Sequence, residues 1–173
     1  MSDSGLLAAA NRLRAEAAAR DPWLPGLPIV GIGWATVELE RAAEDLDAAF
    51  VRAGMPKPAW SPGPRDDLLG ASAWVSHEWW PTWGPDEPPA IVLLEPDTEG
   101  RLAATLARFG EGVGAIYVAP PPDDEAGRAN PARLGRPAAG PLGPGRLVLA
   151  RPAWGPNVIV VNRPTTAVRN APP

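Results

Sequence analysis

Residues 93–118 of the chain read LLEPDTEGRLAATLARFGEGVGAIYV. The apolar run that opens this stretch belongs to a predicted buried strand at residues 90–95, and Asp97 or Thr98 can cap the helix that follows. The next glycines end that helix, and a second strand is predicted at residues 113–119. The pattern predicts a linker helix between two strands, after which the order of elements begins again. The apolar face of this helix is formed by Leu102, Thr105, Leu106 and Phe109.

The residues before this stretch predict one compact unit. A strand is predicted at residues 29–37, a helix at 39–53 and a strand at 71–78, with a proline-rich loop at 55–64. Residues 4–20 predict a separate amphipathic helix. The helix of the unit carries an apolar stripe formed by Leu39, Ala42, Ala43, Leu46 and Phe50.

The residues after the stretch predict a weaker copy of the same unit. A helical stretch at residues 123–134 is interrupted by Pro131, and strands are predicted at 146–151 and 157–162. We therefore predict an α+β fold in which a β-α-β-β-β unit occurs twice. The predicted organisation is an N-terminal helical extension at 1–26, one domain at 27–165 and a flexible tail at 166–173. Within the domain, module 1 covers about 29–96, the linker helix 97–110 and module 2 about 113–162.

The composition excludes several classes of site. The 173 residues include no cysteine and one histidine, His77, so disulfides, thiolate metal centres and sites with two imidazoles are excluded. Sixteen basic and twenty acidic residues give a net charge of -4, which argues against nucleic-acid binding. The apolar runs are too short to cross a membrane, and the N-terminal residues lack the apolar segment of a secretory signal. We therefore predict a cytoplasmic protein without membrane or nucleic-acid partners.

The order of these motifs resembles the vicinal oxygen chelate superfamily, particularly its methylmalonyl-CoA epimerase and glyoxalase branch. The resemblance rests on a Glu-Pro pair (95–96) at the end of a leucine-rich strand, the linker helix, and a Gly-Glu-Gly turn (110–112) before a new strand. The segments GIGWATVELERAAEDL (31–46) and RLVLARPAWGPNVIVV (146–161) are also similar to the first and last elements of that family. The resemblance covers roughly residues 29–162.

The resemblance implies two βαβββ modules whose sheets curl into a half-open barrel. In the family, the concave face carries a divalent metal held by four side chains, two of them usually histidine and two usually glutamate or glutamine. At the corresponding positions this chain has Gly31, Val92, Ala115 and Val161. These residues offer no lone pair to a metal. We therefore predict a degenerate site with no metal and no cofactor.

The same positions predict the lining of the concave face. Because side chains alternate along a strand, Gly33 and Ala35 face the same side as Gly31, and Tyr117 faces the same side as Ala115. The predicted cavity is apolar, with the Tyr117 hydroxyl as its one polar group. It is either filled by neighbouring side chains or suited to an apolar or aromatic ligand. The full predicted lining is Gly31, Gly33, Ala35, Val92, Ala115, Tyr117, Val161, Trp74 and Trp79.

Three further residues are candidates for proton transfer. His77 and Glu78 lie among tryptophans and could form an acid–base pair, but the favoured interpretation is that the tryptophans pack a hairpin or a dimer interface. A metal site at this pair would need further donors, because neighbouring strand residues point in opposite directions. Glu95 could act as a base, although a solvated strand end is the simpler interpretation.

Three functions fit the sequence. The first is a metal-free binding protein that holds a hydrophobic or aromatic small molecule in the concave pocket, stacked on tryptophans and oriented by Tyr117. The second is a metal-independent isomerase, lyase or cyclase that uses Tyr117, His77, Glu78 or Glu95 for proton transfer. The third is a structural or partner-binding protein with a filled cavity. A homodimer is expected, because many relatives complete their pocket with a partner chain and the tryptophan-rich loop offers apolar surface.

Overall fold

A computed structural model of the protein describes residues 27–76, 89–119, 134–149 and 156–162. Module 1 contains the elements β1 (Ile29–Ala35), α1 (Leu39–Arg52), β2 (Trp60–Pro62), β3 (Ala71–Ser76) and β4 (Ala90–Pro96). The linker helix α2 (Arg101–Phe109) follows. Module 2 contains β5 (Gly112–Val118), β6 (Leu134–Ala138), β7 (Gly145–Val148) and β8 (Asn157–Val161).

One mixed sheet holds the eight described strands in the order β2-β3-β4-β1-β5-β8-β7-β6. In each module the first strand pairs in parallel with the last, β1 with β4 and β5 with β8, and the other neighbours within a module are antiparallel. The modules meet where β1 and β5 pair antiparallel, with Ile32 opposite Ile116. The predicted α+β class and the repeated strand order are confirmed.

One side of the sheet in module 1, which we call the outer face, is covered by α1. This side carries Ile32, Ile91 and Leu93, which pack in one cluster with the apolar stripe of the helix. Burial of that stripe stabilises the helix against the sheet, since apolar side chains leave water on packing. The stripe that periodicity predicts is buried in full: Leu39, Ala42, Ala43, Leu46 and Phe50.

Two strands lie where the sequence predicts none. β2 falls within the predicted proline-rich loop at 55–64, and β6 contains Gly135 and Pro137. Both are edge strands among those described, where β2 pairs with β3 alone and β6 with β7 alone. An edge strand tolerates proline because one side of its backbone needs no partner in the sheet. Proline therefore does not exclude a strand at either place.

The linker helix begins later than predicted. Gly100, at φ 144°, takes the N-cap position, and neither predicted capping residue acts as a cap. Asp97 instead forms an ion pair with Arg65. The predicted apolar face is correct for Leu102 and Leu106, which are buried, and wrong for Phe109, which is 52% exposed.

Several predictions lie outside the described residues. These are the N-terminal helix at 4–20, the helical stretch at 123–134 apart from its last residue, the tail at 166–173 and the tryptophan-rich loop. In the part of the chain that is described, no helix combines the length and apolar character needed to cross a membrane.

Candidate functional site

The four positions that correspond to the metal ligands of the family lie together on the side of the sheet opposite α1, which we call the inner face. Gly33, two residues along β1 from Gly31, pairs with Val92 on β4 and with Ala115 on β5. Val92, Ala115 and Val161 belong to one buried cluster. The sequence analysis therefore identified a set of residues that the fold brings together.

This set does not fit a divalent metal. Its side chains carry no donor atom, and the space beside the two glycines is occupied. A Cβ at Gly31 would lie 2.3 Å from Cδ1 of Leu142, and a Cβ at Gly33 would lie 2.7 Å from Cδ1 of Leu94. A ligating side chain at either position would need its neighbours to move. Among the described residues, no three His, Cys, Asp or Glu side chains are grouped so that they could hold a metal ion.

The inner face is covered in part by Leu102 and Leu106 of the linker helix α2. The rest is covered by two loops, residues 63–70 of module 1 and residues 139–144 of module 2, which we call the cover loops. They meet where the Asp67 N–H donates a hydrogen bond of 3.1 Å to the Ala139 carbonyl. Leu69 and Leu142 of these loops are 1% and 4% exposed and belong to the inner-face cluster. Over its described part, the inner face is therefore packed with the protein's own side chains.

Tyr117, the predicted polar group of this face, has a buried partner. Its hydroxyl donates a hydrogen bond of 2.7 Å to Oδ2 of Asp66. The other carboxylate oxygen, Oδ1, accepts hydrogen bonds of 3.0 Å from the backbone N–H groups of Leu68 and Leu69. Asp66 and Tyr117 are 0% and 1% exposed. Both oxygens of this carboxylate are therefore satisfied inside the protein.

The surroundings of this pair shift both pKa values upward. Burial raises the pKa of Asp66, and the hydrogen bonds from Tyr117 and from the two backbone N–H groups oppose that change in part. Burial and the neighbouring Asp66 carboxylate raise the pKa of Tyr117 well above its ordinary value of 10.0. Tyr117 therefore stays protonated at neutral pH and acts as a hydrogen-bond donor.

Two residues predicted to share the site lie on the other side of the sheet. Trp74 pairs with Leu93 and packs with the outer-face cluster, whereas its strand neighbours Ala73 and Val75 belong to the inner-face cluster. The prediction that Trp74 lines the pocket is therefore wrong, because strand residues alternate between faces. Glu95 accepts a hydrogen bond of 3.2 Å from the Leu39 N–H at the start of α1. It satisfies a free helix N–H and does not approach Tyr117 across the sheet.

A second polar link connects the modules beside the end of β1. Glu111 accepts hydrogen bonds from the Thr36 hydroxyl at 2.7 Å, from the Val37 N–H at 3.0 Å and from the Arg41 guanidinium. The Thr36 hydrogen bond, followed by those from Val37 and Arg41, lowers the pKa of Glu111. The Gly-Glu-Gly turn is therefore a structural junction.

His77, Glu78 and Trp79 lie outside the described residues, so their proposed roles stay predictions. Asp66 was not among the predicted site residues. One local signal was present. An aspartate whose carboxylate can accept hydrogen bonds from the backbone N–H groups two and three residues later is typical of a tight turn. Nothing in the sequence indicated that its second oxygen would meet a tyrosine 51 residues away.

Comparison of the whole structure with solved proteins identifies the fold. A variant of Streptomyces coelicolor methylmalonyl-CoA epimerase, in complex with 2-nitronate-propionyl-CoA, matches with a TM-score of 0.58 at 19% identity, over 81% of this chain and 100% of the other. Methylmalonyl-CoA epimerase from Mycobacterium tuberculosis matches with a TM-score of 0.59 at 16% identity, over 83% and 92%. A hypothetical protein from Bacillus halodurans matches with a TM-score of 0.57 at 16% identity, over 82% and 97%.

The chain therefore has the vicinal oxygen chelate fold, as its motifs indicated. The likeness concerns the fold, because identities of 16–19% carry no activity from one protein to another. No protein-family model matches the sequence, and no curated protein matches it.

Proposed function

We propose that the chain is a metal-free, non-catalytic protein with the vicinal oxygen chelate fold, in which the inner face serves as a hydrophobic core. In this proposal the protein acts as a structural or partner-binding protein and carries out no metal-assisted epimerase or lyase reaction. The observation that carries the proposal is the contact of Leu142 with Gly31. The position expected to hold a metal-binding histidine is a glycine that accommodates a leucine from a cover loop.

Three features of the described residues support this proposal. The four positions of the expected chelate carry no donor atoms, so Lewis-acid stabilisation of an enolate has no support there. Two leucines of the cover loops, Leu69 and Leu142, occupy the face on which a substrate would lie. The remaining polar groups on this face, Asp66 and Tyr117, satisfy each other. Proton transfer by Tyr117 would require that pair to separate.

A second candidate is binding of an apolar or aromatic small molecule at the inner face. It is favoured by one observation, namely that the side chain over Gly31 comes from a short turn and not from the sheet. Leu142 lies in that turn between Gly140 and Gly143, and Gly143 has φ 110°, which favours glycine. A ligand would take the place of Leu142, and the chain would then be a binding protein.

Metal content tests the first part of the proposal. Protein expressed with added zinc, nickel, cobalt and manganese, then dialysed, should contain far less than one equivalent of any of them by mass spectrometry of the elements. Eight tryptophans make fluorescence a sensitive readout of binding. A packed inner face predicts no saturable change in tryptophan emission on titration with bromobenzene and with bromocyclohexane, heavy-atom quenchers that do not themselves emit in the tryptophan range. Saturable quenching by either compound, lost in Leu142→Trp, would favour the second candidate.

A further inference from the structure

Asp66 lies at a junction of several chain segments. Its carboxylate fixes its own loop through the N–H groups of Leu68 and Leu69. In the same loop, the Leu69 carbonyl accepts a hydrogen bond of 3.3 Å from the Leu102 N–H at the start of α2. One residue after Asp66, the Asp67 N–H binds the second cover loop. The loop that this carboxylate holds therefore contacts both the second cover loop and the linker helix.

Tyr117 connects this junction to the other module. It lies on β5 in module 2, whereas Asp66 precedes β3 in module 1, so their hydrogen bond crosses between the modules. The tyrosine ring also lies below the cover: a Cβ at Gly31 would be 3.2 Å from its Cδ2 atom. The hydrogen bond thus joins the floor of the inner face to the loop above it.

We propose that the Asp66–Tyr117 hydrogen bond is a latch that keeps the two cover loops closed over the inner face, and that breaking it exposes this face to apolar molecules. This latch takes the place of a shared metal as the link between the modules. The inference concerns the contacts of the cover loops, and it holds for either candidate function.

The chemistry explains why one hydrogen bond can have this effect. A buried carboxylate that loses a donor must be rehydrated or protonated, so the loss costs more than an exposed hydrogen bond would. Rehydration of Asp66 requires water to enter beside Tyr117, and that requires the loop at 63–70 to move. Because the Asp67 N–H is hydrogen-bonded to the Ala139 carbonyl, the second cover loop moves with the first.

Hydrogen exchange of the native protein tests the latch without any substitution. The amides of Asp67, Leu68 and Leu69 should exchange as one unit, since they are bonded to Ala139 or to Asp66. Their common protection should be lower than that of the paired amides of β1 and β5. Exchange of the three amides at three unrelated rates, or together with global unfolding, would overturn the latch.

Substitution gives the sharper test. In Tyr117→Phe, protection of the three amides should fall about ten- to a hundredfold more than protection of the β1 and β5 amides, because the buried carboxylate loses a donor. The dye 8-anilinonaphthalene-1-sulfonate fluoresces strongly when it binds exposed apolar surface. Its fluorescence should rise when this variant is added. Asp66→Ala removes the acceptor of the tyrosine altogether, so the amide of Asp67, which is bonded to the Ala139 carbonyl, should lose protection in the same way.

Thr36→Val is the control at a distant junction. It removes the hydrogen bond of 2.7 Å to Glu111 and, with it, the local hydrogen bonds between the Thr36 hydroxyl and the backbone of Glu38. In this variant the amides of Asp67, Leu68 and Leu69 should keep their protection relative to the β1 and β5 amides. The variant should not increase the fluorescence of the dye. An equal loss of protection in Thr36→Val, or unchanged protection in both latch variants, would contradict the proposal.

Discussion

The two faces of the sheet are covered in different ways. The outer face of module 1 is covered by α1, a regular helix whose apolar stripe packs on Ile32, Ile91 and Leu93. The inner face is covered partly by the short helix α2 and partly by two loops, in which Leu142 fits beside Gly31 and Asp66 bonds to Tyr117. The outer face is stabilised mainly by apolar burial, and the inner face also by one hydrogen bond.

This difference has a consequence for dynamics. Opening the outer face requires removal of a fourteen-residue helix with six buried side chains. Opening the cover loops requires separation of Asp66 from Tyr117 and of Asp67 from Ala139. It also requires separation of the backbone hydrogen bonds that join the first cover loop to Asp97 and Leu102. Regions held by few contacts open at lower free energy than regions held by many.

The largest effect is expected on the outer face. Phe50 is 0% exposed and lies in the cluster beneath α1. Phe50→Ala should lower the free energy of unfolding by about 3–5 kcal/mol, because it removes apolar contacts and leaves a cavity. Urea denaturation followed by circular dichroism measures this. Val51→Ala, at a neighbouring residue that is 52% exposed, should change stability by less than about 0.5 kcal/mol. Equal effects of the two substitutions would contradict the packing of α1.

A smaller loss is expected on the inner face. Leu142→Ala should lower the free energy of unfolding by about 2–4 kcal/mol, less than Phe50→Ala, since a loop can relax into part of the cavity. The cavity should also bind a small apolar molecule such as benzene, which stays outside the wild-type inner face. Thermal denaturation with and without benzene measures both effects. Stabilisation of the wild type by benzene to the same extent would show that the face is already open.

The smallest effect is a pH dependence at the junction of the modules. The pKa of Glu111 is lowered from its ordinary value of 4.5, first by the Thr36 hydroxyl and then by the Val37 N–H. Its contribution to stability is therefore present above pH 4.5 and is lost as the pH falls through the lowered pKa. The difference in unfolding free energy between wild type and Glu111→Gln should shrink as acid is added below pH 4.5. The difference should persist in 1 M salt, because hydrogen bonds from Thr36 and Val37 are short-ranged. A difference independent of pH would contradict this account of Glu111.

Sequence patterns predicted the outer face better than the inner face, for a physical reason. The stripe of α1 repeats with the period of a helix, so residues close in sequence report their common environment. The inner-face positions of β1 and β5 followed from strand alternation, once the resemblance had set the register. Trp74 was placed on the wrong side of the sheet because it was assigned by its aromatic neighbours and not by the alternation of its strand.

The cover loops could not be predicted in this way. Leu142 and Asp66 lie in irregular segments, and their partners Gly31 and Tyr117 are distant in sequence. Such contacts depend on the tertiary arrangement of the strands and have no period. The sequence analysis therefore left open whether the cavity is filled or empty. The structure adds the side chains that occupy the described part of it.

The central claim is that the inner face is packed, and Gly31→Ala tests it most directly. A methyl group at residue 31 would overlap Leu142, so the substitution should lower the free energy of unfolding by about 1–3 kcal/mol. Gly135→Ala, where the new Cβ meets no atom closer than 3.4 Å, is the matched control and should be nearly neutral. In the double variant Gly31→Ala/Leu142→Ala, the free energy of unfolding should fall by less than the sum of the two single effects. The reason is that the new methyl group enters the space that Leu142 vacates. Unchanged stability in both Gly31→Ala and Leu142→Ala would contradict the account.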